Sequence, residues 1–323
     1  MMNILVLGGC GYIGTNLVNK LLENKKNYLT VLDTQWFGNY HKKNKRLKII
    51  KDDIRNIKKY SLKKFKTIIH LANIANDPAV ELSPELSWNV NVLSTKFIIE
   101  KAIKDKVKNF IFASSGSVYG LKKEKKVTED LDLNPISIYN KTKMIAERVL
   151  LSYKDKIRIF CVRPATVCGL SPRMRFDVSV NMLTLQALKN KKINVHGGHQ
   201  VRPNIHINDL VNLMCHFMRN NRIKPGIYNA GFENMSILEI AKIIKKEIPC
   251  KISISKINDI RSYRLDSSKL VKTGFKPKFS VKDAILEIKS LYKMKKLKIS
   301  KNNFSVKWLK YLIKKKLNDK ISL

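Results

Sequence analysis

The feature that most constrains this chain is a glycine-rich turn, GGCGYIG, which spans Gly8–Gly14 directly after the strand-like segment Asn3–Leu7. A strand that ends on such a turn and continues as a helix presents the free N–H groups of the helix N-terminus to a bound diphosphate. A second strand-like segment ends at Asp33, at the expected distance of about 20 residues, where a carboxylate can bond a ribose 2′-hydroxyl and repel a 2′-phosphate. The pattern predicts a dinucleotide site that prefers NAD to NADP.

Each glycine of this turn has its own expected role. Gly8 allows the tight turn, Gly11 lets the backbone approach the diphosphate, and Gly14 lets the helix pack closely on the strand. Tyr12 and Ile13 lie between them at the start of the helix, and we assign both to the same cofactor site.

Strand-like and helix-like segments alternate through the first half of the chain, which is typical of an α/β protein with a parallel sheet. The predicted strands are Asn3–Leu7, Leu29–Asp33, Leu47–Ile54, Thr67–Asn73, Asn109–Ser115 and Arg158–Pro164. The predicted helices are Gly11–Glu23, Leu86–Lys104, Tyr139–Tyr153 and Val178–Asn190. At 323 residues the chain can form one large or two smaller domains.

The formal net charge of +39 comes almost entirely from lysines that are spread through every segment. Dispersed lysines indicate solvated faces, and neither zinc-finger spacing nor a basic region leading into a heptad zipper is present. We therefore expect no nucleic-acid partner, although a field of this sign would attract a diphosphate.

The cysteine pattern favours a reduced, cytoplasmic protein, because the five cysteines are odd in number and include no Cys-x-x-Cys pair. We expect no membrane span, since no segment approaches the ~18 apolar residues that a span requires. His70, His196, His199 and His206 show no metal-ligand spacing, and we expect no bound metal.

Tyr139 and Lys143 are four residues apart at the start of a predicted helix, so they share one face. A tyrosine with its ordinary pKa of about 10 is a poor base at neutral pH, and a nearby ammonium can stabilise its phenolate. Ser114 and Ser115 end the preceding buried strand, at the sheet edge where open α/β sheets bind ligands. These residues together predict a catalytic group in a cleft.

With these motifs the chain resembles the extended short-chain dehydrogenase/reductase family, which includes the NAD-dependent nucleotide-sugar epimerases and dehydratases. The markers occur in order over about residues 3–290. They are GGCGYIG, Asp33, Asp52–Ile54, His70–Asn73, Asn91, SSGSVYG at Ser114–Gly120, YNKTK at Tyr139–Lys143, RPATVCG at Arg163–Gly169 and VRPNIHINDL at Val201–Leu210.

The resemblance implies a Rossmann-type doubly wound parallel sheet with a smaller C-terminal substrate-binding domain. We expect an NAD-binding domain over residues 1–165 and a mainly substrate-binding domain over 166–290, with about 200–230 returning to the first. It also implies a homodimer built on the helix Leu86–Lys104 and the helix that starts at Tyr139.

The resemblance also assigns roles residue by residue. Tyr139 would take the proton from a sugar hydroxyl, Lys143 would tune it and Ser115 would hold the substrate oxygen. Lys143 could also bond the nicotinamide ribose, and Tyr139 would lie beside the cofactor with it. The further cofactor-binding residues would be Asp53, Ile54, Leu71, Ala72, Asn73, Asn91, Ser114 and Pro164. The residues expected to bind a nucleotide-diphosphate sugar are Ser115, Gly116, Ser117, Thr166, Arg173, Asn181, Arg202 and Arg261.

One departure from the family pattern reduces the number of reactions that we expect of this chain. Dehydratases usually carry an Asp-Glu pair where this chain has Gly116 and Ser117, and decarboxylases usually keep a glutamate there. We therefore expect an NAD-dependent nucleotide-sugar epimerase acting at C4, through reversible hydride transfer to tightly held NAD. The alternatives are a nucleotide-sugar 4-dehydrogenase that releases a keto sugar and a non-catalytic, regulatory NAD-binding protein.

The tail 291–323 carries eleven lysines and one acidic residue. Trp308, Leu309, Leu312 and Ile313 recur at helical spacing within it. Such a segment is either a basic amphipathic helix docked on the body or a membrane-surface tail. We expect docking.

Overall fold

A computed structural model describes residues 2–256 and 262–315 of the chain. Its strands are β1 (Met2–Leu7), β2 (Asn27–Asp33), β3 (Leu47–Lys51), β4 (Thr67–His70), β5 (Asn109–Ala113), β6 (Arg158–Pro164), β7 (Thr166–Cys168), β8 (Lys192–His196), β9 (Val201–His206), β10 (Gly226–Ala230), β11 (Glu233–Ser236) and β12 (Lys251–Ser255). Its helices are α1 (Tyr12–Glu23), α2 (Asp77–Val80), α3 (Pro84–Trp88), α4 (Ser94–Lys104), α5 (Ile138–Leu151), α6 (Ser179–Asn190), α7 (Ile207–Arg219), α8 (Ile237–Glu247), α9 (Ser268–Val271), α10 (Val281–Lys293) and α11 (Ser305–Lys314).

Seven strands form the central sheet in the order β10-β6-β5-β4-β1-β2-β3, and every neighbouring pair is parallel. The order reverses direction between β1 and β4, as in a doubly wound Rossmann sheet. All side chains of β4 and β5 are buried, because helices cover both faces of a parallel sheet. The predicted α/β fold is therefore confirmed.

Two hydrophobic cores lie on opposite faces of this sheet. One contains the apolar sides of α1 and α7, represented by Leu17 and Leu213. The other contains α4 and α5, represented by Ile98 and Leu150. A buried leucine of this kind contributes about 1.5–3 kcal/mol, so both layers are held to the sheet mainly by apolar burial.

A third core lies in the C-terminal half, between α6, α8 and α10. Two small sheets adjoin it, one ordered β11-β9-β7 and one that pairs β12 with β8. Between β9 and β11 the chain returns to the central sheet. There α7 packs on α1, and β10 pairs with β6.

Three elements differ clearly from the sequence prediction, and the first is the strand predicted for Thr67–Asn73, which ends at His70. The strand predicted for Leu47–Ile54 ends at Lys51, because Asp53 accepts a bond from the Arg55 N–H and starts a 3₁₀ turn. The long helix predicted for Leu86–Lys104 contains a π-helical turn at Asn89–Leu93. In the described ranges, 2–256 and 262–315, no helix combines the length and apolarity needed to cross a bilayer.

Candidate active site

The glycine turn and the first turn of α1 form the floor of two adjoining cavities of ≈ 130 and ≈ 160 Å³. Gly8 has φ +80°, and a Cβ added there would lie 2.5 Å from the Ala72 nitrogen. A Cβ on Gly11 would meet only the Gly8 oxygen, at 3.3 Å, and would otherwise fill the cavity. No side chain caps the N-terminus of α1, so the helix end stays open toward a ligand.

The first cavity extends from the glycine turn to the carboxyl ends of β2 and β3. Asp33 lines it and accepts bonds from the Cys10 N–H at 2.9 Å and the Gln35 N–H at 2.7 Å. Burial raises the pKa of Asp33 above its ordinary value, and these two N–H donors oppose that rise. Asp53 and Ile54 form another wall of this cavity.

The second cavity leads from the glycine turn to the end of β5. Its lining includes Tyr12, Ile13, Gly14, Leu71, Asn73, Ala113 and Arg173. Asn73 has no hydrogen-bond partner for either amide atom, and the buried Ser114 hydroxyl has none within the described chain. Unsatisfied polar atoms beside an open helix N-terminus fit a dinucleotide, because its ribose and diphosphate oxygens can satisfy them.

Tyr139 and Lys143 project from the first turns of α5 toward the ends of β5 and β6. Burial raises the pKa of Tyr139 to about 12, while the facing Ser115 hydroxyl lowers it. Burial lowers the pKa of Lys143 to about 7, and Glu147 opposes that shift. The Lys143 ammonium donates to the Ala113 carbonyl at 2.6 Å, so its charge lies beside the second cavity.

Ser115 begins the 3₁₀ turn Gly116–Tyr119, and its hydroxyl is 2.7 Å from the Ser117 hydroxyl. A Cβ on Gly116 would lie 3.2 Å from the Pro164 oxygen, at the end of β6, and 3.4 Å from the Tyr263 hydroxyl. This arrangement brings Ser115, Ser117 and the end of β6 to the same edge of the sheet as Tyr139.

Tyr263 is a candidate site residue that the sequence analysis did not identify. Burial raises its pKa to about 12, and Tyr139 and Arg202 both act on its hydroxyl electrostatically. Its only sequence signal is its position two residues after Arg261, which lies outside the described residues.

Thr166 starts β7 and pairs with Asn204 of β9, and Arg202 lies two residues before Asn204.

Two side chains predicted to bind ligands, those of Asn181 and Asn91, make hydrogen bonds to other residues of the protein. Asn181 accepts from the Gly169 N–H at 3.0 Å and donates to the Tyr12 hydroxyl at 3.0 Å. Asn91 exchanges two hydrogen bonds with the backbone of Ile74 and donates a third to Thr142. Both side chains are fully buried, so they position the surrounding backbone.

The sequence analysis assigns Arg173 to the sugar nucleotide, and the structure places it in the lining of the second cavity, together with Gly11 and Gly14. His70 is buried and hydrogen-bonded to Thr95 at 3.0 Å, and burial lowers its pKa to about 3. It packs in the core as a neutral side chain.

Comparison with known proteins gives a consistent result. A sequence model described as "NAD dependent epimerase/dehydratase family" matches residues 4–231. The UDP-glucose 4-epimerase of Lactobacillus helveticus is 28% identical, covering 88% of this chain and 95% of that protein. UDP-glucuronic acid decarboxylase 3 of Arabidopsis thaliana is also 28% identical, covering 88% and 87%.

Among solved structures, the UDP-glucuronic acid 4-epimerase of Bacillus cereus, in complex with UDP-glucuronic acid and NAD, is similar with a TM-score of 0.77. It is 27% identical, and the match covers 90% of this chain and 100% of that one.

Proposed function

The chain belongs to the NAD dependent epimerase/dehydratase family, and we propose that it is an epimerase that inverts C4 of a UDP-sugar. It is an NAD-dependent enzyme, and NAD when bound supplies the acceptor and donor for the C4 hydride. We propose UDP as the nucleotide because the similar proteins described above are named for UDP-sugars. The preference for epimerisation comes from this chain's own residues.

The observation that carries the proposal is the replacement of the expected carboxylates beside Ser115 by Gly116 and Ser117. A Cβ on Gly116 would lie 2.9 Å from Leu265 and 3.2 Å from the Pro164 oxygen, so a longer side chain does not fit there without movement. The Ser117 hydroxyl bonds Ser115. This chain therefore lacks the carboxylate that dehydratases and decarboxylases usually carry at this place, whereas hydride transfer to and from C4 does not use one.

The proton at C4 is handled by Tyr139 in this proposal. Its phenolate would accept the hydroxyl proton as the C4 carbonyl forms and return it when the hydride is delivered to the other face. Ser115, which already acts on the pKa of Tyr139, would donate to the same substrate oxygen. The buried Lys143 would stabilise the phenolate by its charge, since attraction between opposite charges strengthens away from water.

The proposal is tested by a proton NMR time course with NAD over UDP-, GDP-, CDP- and dTDP-sugars. Conversion of one UDP-sugar to its C4 epimer without accumulation of NADH is the expected result. A keto sugar with stoichiometric NADH would instead assign a 4-dehydrogenase. No turnover, together with intact NAD binding, would favour a non-catalytic role.

The catalytic assignment is tested by Tyr139→Phe, which removes only the phenol hydroxyl. Loss of a general acid–base group costs about 10²–10⁴-fold in kcat, and NAD affinity should stay unchanged. Tyr153→Phe is the matched control, because Tyr153 follows the C-terminus of α5 and bonds Glu100 instead. If Tyr139→Phe retains full activity, Tyr139 is not the base.

We further propose that the enzyme is a homodimer through α4 and the turn before it. Trp88 and Leu93 lie at this turn and are 37% and 47% exposed, which is unusual for large apolar side chains near each other. Light scattering should give a dimer for the wild type and a monomer for Leu93→Glu; a Leu93→Glu dimer would exclude this surface.

The compartment that we propose is the cytoplasm. All five cysteines are free thiols, and four of them are buried. Free thiols in a protein of this size are typical of a reducing compartment.

A further inference from the structure

The C-terminal segment 300–315, here called the strap, forms part of the wall of the second cavity. Ser305 and Leu309 of the strap line that cavity together with the glycine turn. Leu309 and Leu312 are buried against the body, so the strap is docked by its apolar side. The basic tail is thus placed over the cofactor site, which its sequence pattern did not indicate.

Polar contacts fix the strap to two separate loops on either side of the cavity. Loop 36–40 follows β2, and loop 169–177 follows β7. The contacts to the first loop are from the Asn302 amide to the Phe37 carbonyl (2.8 Å) and the Tyr40 hydroxyl (2.8 Å), and from the Trp308 indole to the Trp36 carbonyl (2.6 Å). The second loop contributes Asp177, which accepts from the Ser305 N–H at 3.0 Å.

Arg173 is the residue of the second loop whose side-chain cation the strap contacts. Its Nη2 donates to the Ser305 hydroxyl at 2.9 Å, and its guanidinium lies 4.2 Å from the centre of the Phe37 ring. Arg173 is 3% exposed, and its Nε has no hydrogen-bond partner among residues 2–256 and 262–315. The guanidinium is therefore oriented by the strap while part of its donor capacity stays unused.

No carboxylate in the described residues lies within ion-pair distance of Arg173. The nearby Asp177 pairs instead with Arg175 at 2.9 Å. A buried cation without a counter-ion is costly, and burial accordingly lowers the pKa of Arg173 to about 10. An anion that enters the second cavity would supply the missing negative charge.

Arg173, Gly11 and the residues at the open N-terminus of α1 all line the second cavity. We propose that Arg173 binds the diphosphate of NAD from the side opposite the glycine turn, and that the strap closes the site over the cofactor by holding Arg173 in place. Guanidinium suits this role because its planar donors can bond two phosphate oxygens at once. The inference requires NAD binding but is independent of which sugar is converted.

Arg173→Met tests the diphosphate contact, with Lys310→Met as the control that removes an exposed cation from the same region. Kd is measured by calorimetry for NAD, ADP-ribose and adenosine, of which only adenosine lacks the diphosphate. Loss of a charged hydrogen bond should weaken NAD and ADP-ribose by about 10- to 100-fold. Adenosine binding to Arg173→Met, and all binding to Lys310→Met, should be unchanged. Equal losses for adenosine and ADP-ribose, or no loss, would overturn the assignment.

The closing role of the strap is tested in the full-length chain by the double variant Asn302→Ala/Trp308→Phe. This variant removes three hydrogen bonds to loop 36–40 and leaves the buried leucines in place. Excess ADP-ribose is added to the NADH complex to prevent rebinding. The rate at which the fluorescence of bound NADH is lost over time gives the dissociation rate. We expect at least about a tenfold faster release, with unchanged circular dichroism.

An unchanged release rate would show that the strap does not retain the cofactor. If wild-type protein fails to bind NADH at all, the cofactor assignment itself fails, which is a separate outcome from loss of the strap's role.

Discussion

Replacing Glu147 by glutamine should cost the protein about 3–5 kcal/mol of unfolding free energy, because it leaves the buried Arg163 cation without a counter-ion. Arg163 Nη2 donates to Glu147 Oε2 at 2.7 Å, and both side chains are 2% exposed. The Arg163 Nε adds bonds of 3.0 and 3.2 Å to the two carboxylate oxygens. Its Nη1 donates to the Tyr119 hydroxyl at 2.7 Å.

The magnitude follows from the kind of change that glutamine makes. Glutamine has the shape of glutamate, so the packing is retained while the negative charge is lost. Its amide nitrogen also presents donors to the donors of Arg163. A loss of about 3–5 kcal/mol is a large share of the total stability of about 5–15 kcal/mol that is usual for folded proteins.

The assay is urea unfolding of wild type, Glu147→Gln, Arg163→Met and the double variant Glu147→Met/Arg163→Met, followed by tryptophan fluorescence and circular dichroism. Each single change should be strongly destabilising, whereas the double variant should be much closer to wild type because both charges of the pair are removed together. A cost below about 1 kcal/mol for Glu147→Gln, or additive costs in the double variant, would refute the reasoning.

Three further changes test the cofactor and catalytic sites. Asp33→Ala removes the carboxylate from the first cavity, so the ratio of NADP to NAD affinity should rise about 10- to 100-fold in calorimetry. Gly8→Ala combines positive-φ strain with a clash against Ala72, so it should destabilise more than Gly274→Ala, which has the strain but open space. Lys143→Met should lower kcat yet raise the melting temperature at pH 7. The folded pKa of Lys143, about 7, lies below its unfolded value, so its charge costs stability below pH 7 and that cost disappears toward pH 10.

The first βαβ unit could be predicted from the sequence because its signals are local. A buried strand, a glycine turn and an apolar helix face all lie within the one segment Asn3–Asp33, and the structure has the same elements with ends shifted by one or two residues. Strand β6 also has its predicted bounds, because Pro164 ends it. Local chemistry decides such elements, whichever partners they later contact.

The strap, the location of Arg173 and the role of Tyr263 could not be predicted in this way. Asn302 contacts a loop 262–265 positions earlier in the chain, and no periodic pattern specifies such a pairing. Arg173 looks like any loop arginine in the sequence, and only the three-dimensional structure shows that it is buried and lines the same cavity as Gly11. These contacts depend on how separate layers pack, which local propensity does not encode.

The helix α5 carries three ionisable groups at a spacing of four residues, Tyr139, Lys143 and Glu147, so they lie on one face. Burial disfavours a charge on each of them, and within the described part of the chain only Glu147 forms an ion pair, with Arg163. The other two are left with opposite shifts, since the pKa of Tyr139 rises and that of Lys143 falls. Both shifts favour the uncharged side chains. A Tyr139 phenolate and a Lys143 ammonium would still attract each other, and more strongly in these buried surroundings than in water. Tyr139 and Lys143, in the first turns of α5, are therefore the groups that we propose for proton transfer and for stabilising the phenolate. The ion pair between Glu147 and Arg163 holds the later turns of α5 against β6.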